Sequence, residues 1–330
     1  MSNEPYFTYT RFLRDRYGGP LHRVPVDLGR GCPNRDPVTL ASGCLYCAGD
    51  GSRAVHLDTG CPLAEQVRRG LGSSAAAKDG RIPAAYFQAF TSTYGPLHDI
   101  QRAVNTVLAA ADFQVLIFGT RPDCLPPDVL DWLAALNRRY DVWVELGVQT
   151  ANDETLHRIR RGHDFATSRT AVRRLHAHGI HTAAHVILGL PGEQTGDVRK
   201  TAAALASLPL SGIKIHNLHV LKGTPLADVW KQGRIRTWDE HEYGEVLMDF
   251  LRHIPAEWPV MRLVTDSPPQ ELLAPRWWMS KNDFVTYVQK QMRRRGWRQG
   301  DRLAEPAAPE NGRQATPGAT PAKNSSVRAH

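Results

Sequence analysis

Three cysteines are the residues of this chain best suited to chemistry. Cys32, Cys44 and Cys47 are spaced C-x11-C-x2-C on a loop at residues 31–47. Three thiolates can hold three irons of a cubane and leave the fourth iron open to a substrate or cofactor, whereas a closed electron-transfer cluster calls for a fourth cysteine. Zinc is the competing reading. Cys61 lies 14 residues after Cys47, C-x2-C is common in zinc ribbons, and four thiolates make a tetrahedral site. Cys61 also opens a helix as Cys61-Pro62, where a small buried residue serves equally well, and Cys124 reads as a core thiol or a pocket-lining one. On the loop alone, iron and zinc both stand.

Other polar residues fall where strands end. Glu145 and Gln149 are in phase with Gly147 and so share one face of a strand, a costly arrangement inside a barrel unless the groups are paired. Arg121 and Asp123 follow another strand and suit either substrate contact or a structural ion pair. His216 and His219, three apart on a sixth strand, are expected on opposite faces, with Lys214 sharing the face of His216. An inward histidine is more often a satisfied core or pocket group than a catalyst. The densest charge is Arg293-Arg294-Arg295-Gly296-Trp297-Arg298. It could grip phosphates, with Trp297 stacking on a base, or simply be a solvated helix end.

These residues must be positioned by alternating elements. Runs rich in β-branched and aromatic residues predict strands over 21–28, 84–90, 114–119, 142–149, 181–189 and 212–220. Helical periodicity predicts helices over 62–70, 97–110, 128–139, 166–178 and 197–208. In the third of these, Pro127 suits the first turn, and Val129, Leu130, Leu133 and Leu136 recur at helical steps. Six β-α repeats imply a parallel sheet with right-handed crossovers, either doubly wound or a barrel, and periodicity does not choose. The cysteine loop sits at the C-terminal end of the first strand, the functional end in a parallel barrel. After residue 224 the rhythm changes to helices over 238–253 and 281–295 around an extended run at 260–265, expected to cap the barrel or cover its open side. The division expected is an N-terminal extension (1–20), a barrel (21–224), a C-terminal extension (225–304) and a tail (305–330) too poor in large apolar residues to order itself.

Bulk properties narrow the classes. At 330 residues, with 42% hydrophobic and 22% charged residues, the chain is an ordinary globular protein. No stretch reaches the roughly 20 apolar residues of a membrane span, and residues 1–5 lack a basic n-region and an apolar h-region. A cytoplasmic protein with no membrane association is expected. Five cysteines, an odd number, fit a disulfide scaffold poorly. The net charge of +8 favours an anionic partner without identifying one.

The cysteine loop, then Tyr86 to Tyr94, Gly119-Thr120-Arg121-Pro122-Asp123-Cys124, Glu145-Leu146-Gly147-Val148-Gln149-Thr150, Arg161-Gly162-His163-Asp164 and Leu188-Gly189-Leu190-Pro191-Gly192-Glu193 occur in this order. Over roughly residues 10–285 the chain resembles the YhcC-like branch of the radical S-adenosylmethionine (SAM) superfamily, related to the elongator catalytic subunit. A longer first cysteine spacing than the superfamily's usual C-x3-C-x2-C is a feature of that branch. Where a glycine-rich stretch usually precedes the second cysteine, this chain has Pro37-Val38-Thr39-Leu40-Ala41-Ser42.

The resemblance implies an α/β fold, a partial (β/α)6 TIM-like barrel with a C-terminal helical and extended extension. It implies a 4Fe–4S cluster on Cys32, Cys44 and Cys47, with SAM chelating the open iron. Gln88, Thr91, Ser92 and Thr93 match the segment that binds the methionine amino group. Glu145 and Gln149 suit the ribose or the sulfonium end, and Gly189 and Leu190 suit the adenine. The implied reaction is reductive cleavage of SAM to a 5′-deoxyadenosyl radical, fed by an electron donor of flavodoxin or ferredoxin type. Arg121, Asp123 and His216 are the candidates for substrate chemistry. Elongator-type relatives act at the wobble uridine of tRNA, so tRNA is the candidate substrate. The alternatives are a small-molecule or protein substrate, or a zinc-stabilised nucleic-acid-binding protein with no enzymatic activity.

Overall fold

Six strands form where the alternation predicts them, with ends moved by a few residues: β1 (Leu21–Val26), β2 (Ile82–Phe87), β3 (Val115–Thr120), β4 (Asp141–Gln149), β5 (His181–Leu188) and β6 (Gly212–Asn217). The structure is a computed structural model, which describes residues 4–35, 43–49, 51, 60–72, 81–265 and 267–303. The stretch at 37–42 and the tail expected at 305–330 lie outside the described residues. A short pair, β7 (Val220–Leu221) and β9 (Leu272–Ala274), is antiparallel and separate. Strand β8 (Val260–Arg262) instead joins the main sheet, whose order is β1-β2-β3-β4-β5-β6-β8 with every neighbouring pair parallel. The run at 260–265 therefore extends the sheet rather than only covering it.

That order decides between the two architectures periodicity left open. A doubly wound sheet reverses its strand order at a switch point. Here strands follow one another in sequence, so right-handed crossovers put the helices on one side and the sheet curls into a half-barrel. The crossover helices are α2 (Leu63–Gly72), α3 (Leu97–Ala110), α4 (Pro127–Asn137), α6 (Phe165–Ala177) and α7 (Thr195–Ala206), with a short α5 (Asp153–Arg158) before α6. Val129, Leu130 and Leu133 of α4 are buried, as their spacing requires.

Alternation along the strands makes two faces. On the convex face, Val26, Phe87, Phe118 and Val144 pack against Val67, Ile100 and Leu130 of the helices. Each such burial stabilises by about 1.5–3 kcal/mol. The C-terminal helices α9 (Glu240–Arg252) and α10 (Lys281–Arg295) add Leu247, Phe250 and Phe284 to this same core, after α8 (Pro225–Lys231).

The concave face is closed at the N-terminal ends of the strands by α1 (Tyr9–Tyr17), a helix the apolar pattern did not reveal. Thr8 caps it by accepting from the Arg11 N–H, and Gly18 ends it in the left-handed conformation. Leu13, with Tyr9 and Phe12 beside it, packs on Leu21, Val115, Trp143 and Ala183. Arg16 Nε and the Tyr17 hydroxyl both donate to Asp141 Oδ2, at 2.7 and 2.6 Å. The half-barrel is thus plugged below and open above, at the end where the cysteines lie. Among the described residues no helix is long and apolar enough to cross a membrane.

Candidate functional site

Cys32, Cys44 and Cys47 line one cavity of about 560 Å³ at the C-terminal ends of the strands. The loop is held by tight local bonds: the Arg35 N–H donates to the Cys32 carbonyl at 2.8 Å and the Cys47 N–H to the Cys44 carbonyl at 3.1 Å. It is tied to the segment after α5 through Asn34, whose Nδ2 donates to the Arg160 carbonyl at 2.7 Å, the Arg161 carbonyl at 2.9 Å and Cys44 Sγ at 3.3 Å.

Arg161 completes this support from below. Only 6% exposed, it donates from Nη2 to the Gly147 carbonyl at 2.6 Å, from Nη1 to Cys44 Sγ at 3.6 Å and from Nε to His163 Nε2 at 3.0 Å. Two glycines make room. A Cβ on Gly147 would stand 2.6 Å from Arg161 Nη2, and one on Gly162, whose φ is +81°, would stand 2.2 Å from Asn34 Oδ1. Burial by itself would raise the Cys44 thiol, but the Arg161 guanidinium and the Asn34 amide bring it net below its ordinary value. Cys47 has the Arg35 guanidinium beside it, yet burial outweighs that charge and raises the thiol above its ordinary value. His163 is pushed down to about 4, first by burial and then by the Arg161 charge, so it is neutral and accepts from Arg161. The motif Arg161-Gly162-His163-Asp164 carried the resemblance without any role being read into it. A glycine beside an arginine, between two cysteine-loop contacts, was the only available signal.

The sequence candidates divide sharply by position. Gln88, Thr91, Arg121, Glu145, Gln149 and His216 line the cavity. Ser92 and Thr93 are buried just outside it, and Thr93 Oγ1 donates to the Cys124 carbonyl at 2.6 Å. Asp123 is not on the wall; it accepts both arms of Arg121, from Nε at 2.9 Å and Nη2 at 2.8 Å. Gly189 and Leu190 also lie off the wall. Gly189 backs onto Trp238, and Leu190 is buried in a small apolar cluster with Leu45, Leu156 and Ile159. His216 and His219 were expected on opposite faces, yet both line the cavity. The reason is that β6 ends at Asn217, so period-two alternation stops before His219.

Backbone strain is concentrated at the rim. Ala89 and Phe90 follow β2 in the left-handed region (φ +83° and +52°), and Gln149 ends β4 there at +74°. Such non-glycine conformations cost about 1–3 kcal/mol each and cluster at functional sites. The turn at 89–91 is held by the Phe90 N–H donating to the Gly51 carbonyl and the Thr91 N–H to the Gly31 carbonyl, at 2.9 and 3.2 Å. A shift in register between Gly147 and Gln149 breaks the strict alternation of β4 beside β5.

The donor set can be tested against a cluster with SAM and against zinc. Cys61 stands outside the cavity wall at the entrance to α2, its carbonyl bonded by Gln66 Nε2 at 2.8 Å, so the four-thiolate zinc set does not assemble. Cys124 is buried off the wall, its thiol pushed up to about 12 by burial and the neighbouring Asp123. Among the described residues no three His, Cys, Asp or Glu side chains gather closely enough to hold a single metal ion. Three cysteines lining one cavity suit a multi-iron cluster with an open iron. Arg121, 3% exposed, keeps one unpartnered buried group, Nη1, and Thr91 has an unpartnered Oγ1. A free guanidinium N–H and a free hydroxyl beside the cysteines are what an amino-acid carboxylate and amine would engage. The residues fit the group.

Deeper in the cavity Glu145 is already occupied. Its Oε2 accepts from Lys214 Nζ at 2.6 Å and the Tyr86 hydroxyl at 2.7 Å, and pairs with His185 Nε2 at 2.9 Å. Arg23 Nη1 stands 3.5 Å from Oε1. Burial opposes its charge, but Lys214 and His185 hold the carboxyl well below the usual range. Glu145 lies on the face that alternation assigns it, and its partners come from four other strands, β1, β2, β5 and β6.

The basic run at the end of α10 is elsewhere. The guanidinium groups of Arg252 and Arg295 both lie over the Trp297 ring, 4.2 and 4.7 Å from its centroid, so the ring is already engaged within the protein. Arg295 is committed to a two-armed pair with Glu245, 2.6 Å on each arm. Gln299, next to the run, donates to the Pro255 and Trp258 carbonyls at the start of β8. The run therefore sits at the plugged end of the barrel, away from the cysteines.

The chain matches the family model described as Radical SAM superfamily over residues 26–205, and the model Radical_SAM C-terminal domain over 210–294. It is 34% identical over 298 residues to protein YhcC of Escherichia coli, covering 90% of this chain and 95% of that protein. A tRNA uridine(34) acetyltransferase of Methanocaldococcus infernus is 27% identical over 187 residues, covering 56% of this chain and 34% of that protein. Among solved structures, archaeal Methanocaldococcus infernus Elp3 lacking its N-terminus shares the fold at a TM-score of 0.65 and 19% identity, over 84% of this chain and 63% of that one.

Proposed function

The chain belongs to the radical SAM superfamily, whose enzymes use a 4Fe–4S cluster and SAM, and from that premise we propose that Cys32, Cys44 and Cys47 hold the cluster at which this protein cleaves SAM. The observation that carries the reading is the convergence of the three cysteines, the free Nη1 of Arg121 and the free hydroxyl of Thr91 on one cavity. When bound, the group supplies an electron that splits SAM into methionine and a 5′-deoxyadenosyl radical able to abstract hydrogen from a substrate.

The protein's own residues would do the positioning. Arg161 and Asn34 stabilise the Cys44 thiolate by hydrogen bonding to its sulfur. Arg121, aligned by its fork to Asp123, takes the SAM carboxylate, while Thr91 and Gln88 take the amine. Gln149 reaches the nucleoside part from the strained end of β4. Helix α1 closes the barrel floor against water. The electron comes from a flavodoxin- or ferredoxin-type donor in the cytoplasm.

Modification of tRNA is the substrate reading that the relatives support, because the tRNA uridine(34) acetyltransferase matches across more than half of this chain. A small-molecule substrate is favoured by a different observation. The cavity reaches down to a plugged, charged floor, and the arginine run that would have met RNA lies outside the plugged end, away from the cavity mouth. Anaerobic reconstitution tests the common core: about four irons and sulfides per chain are expected, with Cys32→Ala, Cys44→Ala or Cys47→Ala each removing the chromophore and Cys61→Ala keeping it. Stoichiometric zinc without sulfide would refute it. Nucleoside mass spectrometry of tRNA after gene deletion separates the substrates, since an unchanged profile removes the tRNA reading.

A further inference from the structure

The cations of the cavity fall into two groups. Arg35, Arg121 and Arg161 stand with the cysteines, where thiolates and the SAM carboxylate would balance them. Arg23, Lys214 and Arg262 stand at the floor, where Glu145 is the one carboxylate among the described residues lining the cavity. Arg23 and Lys214 both reach Glu145. Arg262 is in register with Lys214 across β6 and β8, and its guanidinium makes no hydrogen bond or ion pair with any described residue. Its charge is nonetheless felt by Tyr86, His185, Lys214 and His216. An excess of positive charge in a buried space is costly unless an anion answers it.

Two further groups, higher on the same wall at the C-terminal end of β6, lack partners. Asn217, 4% exposed, bonds through Oδ1 to the Thr265 N–H and leaves Nδ2 unpartnered. The Thr265 hydroxyl donates to the Asn217 carbonyl at 2.9 Å, so its oxygen is the acceptor for His216 Nδ1 at 3.3 Å. His216 therefore carries its proton on Nδ1 and presents a bare Nε2, buried and unpartnered.

We propose that the β6–β8 wall of the cavity, between Arg262, Lys214, His216 and Asn217, is a substrate subsite for a small organic anion, a carboxylate or phosphate with a hydroxyl or N–H group beside it. The anion answers Arg262 and Lys214 and accepts from Asn217 Nδ2, and the neighbouring donor fills His216 Nε2. The substrate's anion stands against this wall, with its remaining carbon skeleton directed toward the cysteines. This subsite rests on the proposed radical SAM reading only for its purpose, not for its chemistry.

The test is anaerobic titration calorimetry of phosphate, acetate and glycolate into the reconstituted, SAM-saturated protein, in which the upper cations are already engaged. Saturable binding is expected, with glycolate or phosphate tighter than acetate by about threefold or more because each carries the extra hydroxyl. Which of the two binds tighter assigns a hydroxy acid or a phosphate ester as the source. Arg262→Gln should weaken binding by about tenfold or more, the loss of one charge-assisted hydrogen bond, while Arg262→Lys should stay within about threefold of the parent because the charge is kept. Asn217→Ser provides a second reading if Arg262→Gln does not fold, with a loss of about threefold. Equal affinity in the Gln variant and parent, or no saturable binding by the parent, overturns the subsite. Iron content and deoxyadenosine formation, read on the same preparation, keep the two proposals apart. Protein that cleaves SAM yet binds no anion refutes only the subsite, and protein that binds anions through Arg262 yet cleaves no SAM refutes only the radical reading.

Discussion

Two arginine-rich regions of this protein behave in opposite ways. Arg293 to Arg298 is the densest charge in the chain, yet it stands at the plugged end of the barrel. There Arg295 pairs with Glu245 and, like Arg252, stacks over Trp297. Arg161 is one residue of an unremarkable pair, yet it is buried beneath the cysteine loop and donates to a sulfur, a strand carbonyl and a histidine. Charge density along a sequence measures solvation, whereas the function of a charge depends on what surrounds it once water is gone.

The largest effect is expected at the buried Arg161. Arg161→Ala should reduce cluster retention against a chelator by about 10–100-fold, as loss of a group bonded to a metal ligand does. Arg161→Lys, which keeps the charge but not the three-way fork, should fall between the two. Retention equal to the parent in the alanine variant would reduce Arg161 to a packing residue.

A somewhat smaller effect belongs to the other buried charges. Glu145→Gln leaves Lys214 and Arg23 without their carboxylate and should lower unfolding stability by about 3–5 kcal/mol in denaturant titrations. The same cluster gives a pH signature. His185 is pushed down to about 4, first by burial and then by Lys214, against about 6.5 in the unfolded chain. The native state thus resists a proton that the unfolded state accepts. The contribution is complete above about 6.5 and is lost as the pH falls toward about 4. Glu145, held well below its ordinary value, adds a loss below about 4.3, its unfolded value. His185→Gln should flatten the upper part of this acid limb, and an unchanged limb would place the proton uptake elsewhere.

At the far end the effects should be modest. Arg295→Ala removes one exposed pair and one cation–aromatic contact and should cost about 1 kcal/mol in the same titrations. Smallest of all, changing the exposed Arg294 and Arg298 together to Gln should move stability by no more than about 0.5 kcal/mol and leave iron content unchanged. If that double variant instead weakened tRNA binding and flattened its salt dependence, the far end would be an RNA-binding surface after all.

The helices and strands that carry the cysteines were legible because each buries one face, and burial imposes a period. Helix 97–110 and helix 281–295 form over the residues expected. Helix α1 escaped because its buried side is small, with Leu13 alone fully buried among arginines and aspartate. His219 was misplaced because alternation holds only while a strand lasts, and β6 stops at Asn217.

The sequence by itself determined the order and spacing of the cysteines, their place after the first strand, the parallel β-α repeat and the face on which Glu145, Gly147 and Gln149 lie. Each of these is a local property, set by the residue types within one or two turns of chain. Only the tertiary structure decided that the sheet curls instead of reversing and that Cys61 stays out of the cysteine cavity. The same holds for Glu145, whose partners Lys214, His185 and Tyr86 come from β6, β5 and β2, and for Arg161, which reaches Cys44 across more than a hundred residues. The physical reason is common to all of them. Hydrogen bonds and charge pairs act over a few ångströms in space, and which side chains come that close is set by strand order and loop path.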